Sequence, residues 1–127
     1  MTLTHINPEA LHTSPYFSQA VLAEGTRLLF IGGQNGTDDT GTITGGMREQ
    51  TAQAYRNIRA ILESVGGGPE HVARIGILMR DDADMEEGLA GSADVWGDWP
   101  TAITFARVTA LARPEALGEI EAVAVLP

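Results

Sequence analysis

The chain contains no cysteine and no lysine among its 127 residues. Without cysteine there is no disulfide, no thiolate metal site and no cysteine nucleophile. Without lysine no side-chain amine can form a Schiff base, which excludes a covalently held pyridoxal cofactor. No cofactor is expected. Positive charge is scarce, with eight arginines against seventeen Asp and Glu and a net charge of -9. Phosphate contacts need clustered Lys and Arg, so nucleic acid is not an expected partner. No apolar run approaches the length of a membrane span, and residues 1–13 lack the basic start and apolar centre of a signal peptide. A cytoplasmic protein with no membrane partner is the expectation.

What is present fits one domain over residues 1–127, with an ordinary hydrophobic fraction of 43%. Leu3–Ile6 reads as a short edge strand and Phe17–Ala23 as a second. Glu24-Gly25-Thr26 reads as a hairpin turn into a strand over Arg27–Ile31. Gly32-Gly33 at its end signals a turn, a bulge or a close backbone approach; the turn is the plainer reading. Met47–Val65 is the clearest helix, with Met47, Thr51, Ala54, Tyr55, Ile58, Ile61, Leu62 and Val65 on one face and Gln50 off it. Gly66-Gly67-Gly68 and Pro69 stop it. A strand over Ala73–Met79 follows. Asp82 or Asp84 then caps a helix to about Trp96, with Met85, Leu89 and Trp96 turned inward. Gly88 and Gly91 weaken that helix, so packing must hold it.

Two last strands, Thr101–Leu111 and Ala116–Leu126, are joined by a turn at Ala112–Glu115. Strict alternation puts Ile103, Phe105 and Arg107 on one face of the first, and Glu119, Glu121, Val123 and Val125 on one face of the second. Small residues on the opposite faces suit close cover by helices. A face mixing Phe and Val with Arg107, Glu119 and Glu121 suits an intersubunit surface or a cleft. The expected architecture is a two-layer α+β domain, a mixed sheet with two helices on one face. A bare face of this kind predicts homo-oligomerisation.

Other constellations carry little chemistry. The acidic run Asp81–Glu87 lacks calcium-loop spacing and serves the helix dipole. His5, His12 and His71 are scattered, so no metal site is expected. No serine sits in a nucleophile elbow, and Trp96 and Trp99 read as packing anchors.

Several stretches together resemble the YjgF/RidA family. They are Pro15–Val21, Gly32-Gly33-Gln34, Gln50-Thr51 with Asn57 and Ala60-Ile61-Leu62, Ala110–Pro114, and Glu119–Ala122. The resemblance implies a chorismate-mutase-like fold and a homotrimer with a barrel-like core and a small-molecule cleft at each subunit interface. It implies hydrolysis of imines and enamines to 2-oxo acids and ammonia wherever the family's residues carry over. Tyr16 matches the cleft tyrosine, Gly33 the glycine whose backbone faces the ligand, and Glu119 the glutamate that orients water. The family's arginine position falls on Ile103 when aligned from Ala110-Leu111, or on Ala102 when aligned from Pro100. Leu89 stands at the cleft asparagine.

Those departures predict weak or absent activity on 2-aminoacrylate-type imines and a less anionic ligand. Arg107, four residues beyond Ile103 and roughly 13 Å along the strand, either supplies the missing charge or pairs with Glu119 or Glu121. The pair is the expected role. Two function classes remain: a hydrolase of an imine, enamine or related carbonyl metabolite, and a non-catalytic metabolite-binding or regulatory trimer.

Overall fold

The apolar stripe that begins at Met47 folds as helix α1, Met47–Ser64, in a computed structural model that describes residues 1–127. Glu49 reaches back to accept from the Gly46 backbone N–H at 3.0 Å, which closes the first turn. Ile58 and Leu62 are fully buried, and Tyr55 nearly so. Around α1 run β1 (Thr2–Ile6), β2 (Ala20–Glu24), β3 (Arg27–Gln34), β4 (Val72–Arg80), β5 (Ala102–Val108) and β6 (Gly118–Leu126). A second helix, α2, spans Met85–Val95. Asp84 caps it, accepting from the Glu86 and Glu87 amides at 2.9 and 3.3 Å.

Four strands form a mixed sheet in the order β3-β6-β4-β5. β6 is antiparallel to both its neighbours, while β4 and β5 are parallel and joined through α2. The helices lie on one side of this sheet, so the architecture is two-layer α+β as expected. Ala122 and Ala124 of β6 are buried in the core beneath α1, where small side chains let the helix sit close. No helix is long and apolar enough to cross a membrane.

Several expectations need correction. Glu24-Gly25-Thr26 does not make a hairpin: β2 pairs with β1 and β3 pairs with β6. Glycine fits at position 25 because a Cβ there would meet the Val125 side chain of β6 at 2.7 Å. Gly32-Gly33 is a bulge inside β3, not its end, since the register shifts between Ile31 and Gln34. β5 and β6 are not neighbours, because β4 lies between them.

Parallel pairing also fixes the parity of β5. Ile103 lies beside Ile75 and Phe105 beside Ile77, which puts both on the helix side of the sheet. Arg107, beside Met79, is on that side too, whereas Glu119 and Glu121 pair with Leu78 and Gly76 on the bare side. The shared face of Arg107 with the two glutamates is therefore overturned.

Gln50, expected off the apolar stripe, is buried. Its Oε1 accepts from the Leu117 amide at 2.8 Å, and its Nε2 donates to the Gly45 and Glu115 carbonyls at 3.1 and 3.2 Å. Burial of an amide is tolerated because its hydrogen-bonding groups find partners.

Candidate functional site

Helix α2 leans on α1 rather than on the sheet, in a close crossing that Gly91 permits. A Cβ at Gly91 would stand 2.3 Å from the Arg48 carbonyl oxygen and 2.9 Å from Thr51 Cβ. Only glycine permits so close a crossing. Arg48 and Asp94 then clamp the pair, with Nε–Oδ2 and Nη2–Oδ1 distances of 2.8 and 2.9 Å. Trp96 at the end of α2 is buried and stacks on Tyr55 with ring centroids 4.9 Å apart. Its indole Nε1 has no acceptor within the chain.

This tilt leaves a groove of about 520 Å³ between α2 and the β4–β5 edge of the sheet. Ile75, Ile77, Ile103 and Phe105 form its floor, and Met85, Leu89, Ser92 and Trp96 its α2 wall. Met85 and Leu89 are exposed into it and not packed in the core, which corrects the expectation that both turn inward. Burial pushes the Tyr55 phenol on the α1 side upward, with a hydrogen bond to Ser92 acting the other way.

The chain ahead of β2 closes one end. The Ser18 amide donates to the Thr101 carbonyl at 2.8 Å, and Thr101, itself buried, donates its hydroxyl to the Val72 carbonyl at 3.0 Å. His5 Nδ1 and the Ser18 hydroxyl are 2.7 Å apart. These bonds anchor Tyr16 and Phe17 at the rim, opposite Trp99 and Pro100.

Glu119 lies at the other end. It borders both the groove and a smaller hollow of about 140 Å³ on the bare sheet face, shared with Arg74, Thr104, Ala106 and Glu121. Gly33 gives the Glu119 side chain its place: a Cβ there would sit 2.5 Å from the Glu119 carboxyl carbon. Glu121 is taken by Arg74 at 3.5 Å, while Glu119 has no arginine partner within the chain.

Of the six candidate site residues, Tyr16, Leu89, Ile103 and Glu119 line this one groove. Gly33 adjoins it through Glu119. Arg107 does not line it: its guanidinium donates to the Asp81 carbonyl at 3.3 Å, so within one chain it pairs with neither Glu119 nor Glu121. Asn57 and Arg113 of the motif stretches have structural work. Asn57 donates to the Thr37 and Asn35 carbonyls at 2.9 and 3.3 Å, and Arg113 to the Gly41 carbonyl at 2.9 Å, pinning the loop after β3. Sequence reading put Phe105 on a face suited to a cleft without naming it as a site residue, and it missed Tyr55 and Asp98 as lining residues. For Phe105 the signal was present, since it shares the parity of Ile103.

The sequence profile of the endoribonuclease L-PSP family matches residues 7–126. A RutC family protein of Pyrococcus horikoshii is 34% identical over 110 residues, 85% of each chain. Among solved structures, the Rid-family protein YyfB of Yersinia pestis, of unknown function, superposes with a TM-score of 0.87 and 34% identity over 99% of this chain and 100% of that one. RidA from the Antarctic bacterium Psychrobacter sp. PAMC 21119 superposes with a TM-score of 0.71 and 27% identity over 97% and 96%.

Proposed function

This chain belongs to the YjgF/RidA family, and from that premise we propose that its groove is a small-molecule cleft for a carboxylate-free imine, enamine or related carbonyl compound. One observation carries the reading: Tyr16, Leu89, Ile103 and Glu119 meet in a groove that no arginine, lysine or histidine lines. A substrate carboxylate would be desolvated there without a partner, at a cost of several kcal/mol. A ligand without that group meets mainly apolar walls and the acids Asp98 and Glu119.

Glu119 is the group for hydrolysis. Its carboxylate takes a proton from water as the oxygen bonds to the carbon of the protonated imine, giving a neutral carbinolamine. That proton then passes to nitrogen, and as the C–N bond breaks the hydroxyl proton goes to the departing ammonia, leaving a carbonyl compound and ammonium. Backbone groups of Gly33, against which the Glu119 side chain lies, would hold the reacting atom. Ile103 or Ala102 offers no grip for a 2-imino acid, so such substrates turn over poorly.

The cleft suits completion by a second copy. Tyr16, Leu89 and Trp99 leave apolar surface at its rim. On the bare face Phe30 is 73% exposed and Leu28 and Leu78 are exposed as well, apolar surface of the kind that marks an interface. A homotrimer is the assembly proposed, and light scattering showing a monomer at micromolar concentration would refute it.

Imines made in place test the chemistry. An amine oxidase releases carboxylate-free imines, whereas an amino-acid oxidase releases 2-imino acids. Clearance should be faster for the first class and should fall by roughly 100-fold or more in Glu119→Gln. Clearance confined to 2-imino acids, or indifferent to Glu119→Gln, contradicts the proposal. Binding without accelerated hydrolysis selects the non-catalytic metabolite-binding trimer instead. The acidic balance and a cleft without cations give no support to ribonuclease action.

A further inference from the structure

We propose that the groove selects a small organic cation, an apolar amine or iminium ion, over its neutral and anionic counterparts. This rests on reading the groove as a small-molecule cleft and names the charge of what enters it. Six of the chain's seven aromatic residues line it: Tyr16, Phe17, Tyr55, Trp96, Trp99 and Phe105. Aromatic rings present a negative face, and a cation within about 6 Å of a ring centroid is attracted to it, most strongly where water is excluded.

Charge complementarity points the same way. The two ionisable acids of the lining are Asp98 and Glu119, and neither forms an ion pair within the chain. The nearby arginines are engaged elsewhere. Arg48 holds Asp94, Arg59 donates to the Val95 and Trp96 carbonyls at 3.0 and 3.3 Å, and Arg107 donates to Asp81. Met47, Met79 and Met85 fill the remaining lining with polarisable, adaptable side chains that accept ligands of varied outline. A volume of about 520 Å³ admits a ring bearing a short amine. The net charge of -9 adds a field that draws cations in. For imine chemistry the consequence is direct, since the protonated imine is the form water attacks most readily.

Benzylamine, benzyl alcohol and benzoate share one ring and differ in charge at neutral pH, so they form the test set. Calorimetry measures affinity, and the emission of Trp96 and Trp99, the only tryptophans, reports binding in the groove. The ammonium ion should bind roughly tenfold or more tightly than the alcohol, with benzoate weakest. Asp98→Asn and Glu119→Gln should each weaken the cation severalfold and leave the alcohol unchanged. Alcohol or benzoate binding as tightly as the amine overturns the charge selection while leaving the cleft in place. Failure of all three to bind or to alter emission overturns the cleft as well.

Discussion

Gly91→Ala tests whether the helix crossing makes the groove. The new methyl would lie 2.3 Å from the Arg48 carbonyl oxygen, 2.9 Å from Thr51 Cβ and 3.2 Å from the Ala52 nitrogen. None of these atoms can rotate aside, because two are backbone and the third is a Cβ. Relief to ordinary contact requires α2 to shift by roughly 1 Å. Overpacking of this kind costs about 1–3 kcal/mol. Alanine's better helix propensity returns about 1 kcal/mol, so the net loss is at most about 2 kcal/mol, or up to roughly 10 °C in melting temperature for a domain of this size. Gly88→Ala is the control, since its methyl meets the movable Met47 Cε at 3.1 Å. That variant should melt at or above wild type. Thermal denaturation by circular dichroism reads both, and probe titration reads the groove. If Gly91→Ala melts with wild type and binds as well, the crossing is not what holds α2 off the sheet.

Gln50→Ala strips the Leu117 amide of its acceptor and should cost about 1–3 kcal/mol in urea denaturation; a loss below about 0.5 kcal/mol would mean that water replaces the amide. Ile103→Arg puts a guanidinium on the groove floor and should tighten benzoate about tenfold or more by calorimetry. Unchanged benzoate binding there would show that Ile103 does not face the ligand. Arg107→Ala removes an exposed bond to a carbonyl and should shift stability by less than about 1 kcal/mol; a large drop in melting temperature would reveal a buried ion pair formed only in an assembly. Asp38, Asp82 and Asp94 titrate below the usual carboxylate range because Thr40, Arg80 and Arg48 respectively hydrogen-bond to them. Glu115 does so through a backbone hydrogen bond and Arg113. Lowered folded values mean stability that is present above the unfolded carboxylate range and lost as pH falls through the folded values. Melting temperature should therefore stay level from about pH 7 to 5 and decline below about pH 4; constancy to about pH 2 would contradict the assignment.

Period and punctuation made most elements legible in the sequence. The stripe from Met47 marked α1, the pair Asp82 and Asp84 bracketed the start of α2, which Asp84 caps, and alternation marked β5 and β6 within a few residues. Alternation states that Ile103 and Arg107 share a face, but not which face, because that depends on the strand alongside. Once β4 lies parallel to β5, the side is fixed and Arg107 parts from Glu119. Gln50 was misplaced for a similar reason: its three partners, Gly45, Glu115 and Leu117, lie in loops whose approach no helical pattern reports. Tyr16, Leu89, Ile103 and Glu119, proposed by motif position, do line one groove. Tyr55 and Asp98 were not proposed, because the groove exists through the tilt of α2, which a single glycine permits.

The place of β6 in the sheet bears on how the chain is made. It is translated after every other strand, yet it is an inner strand and the only link between β3 and β4. Until it leaves the ribosome, β3 and the β4–β5 pair have no common partner, and the core residues Ile120, Ala122, Ala124 and Leu126 are missing. From the completion of β4 until β6 follows, the nascent chain carries two unpaired edges of apolar strand, the condition in which intermediates aggregate. Closure of the sheet is thus deferred until residues 118–126 are made, and a chain lacking them leaves the edges of β3 and β4 open to other strands.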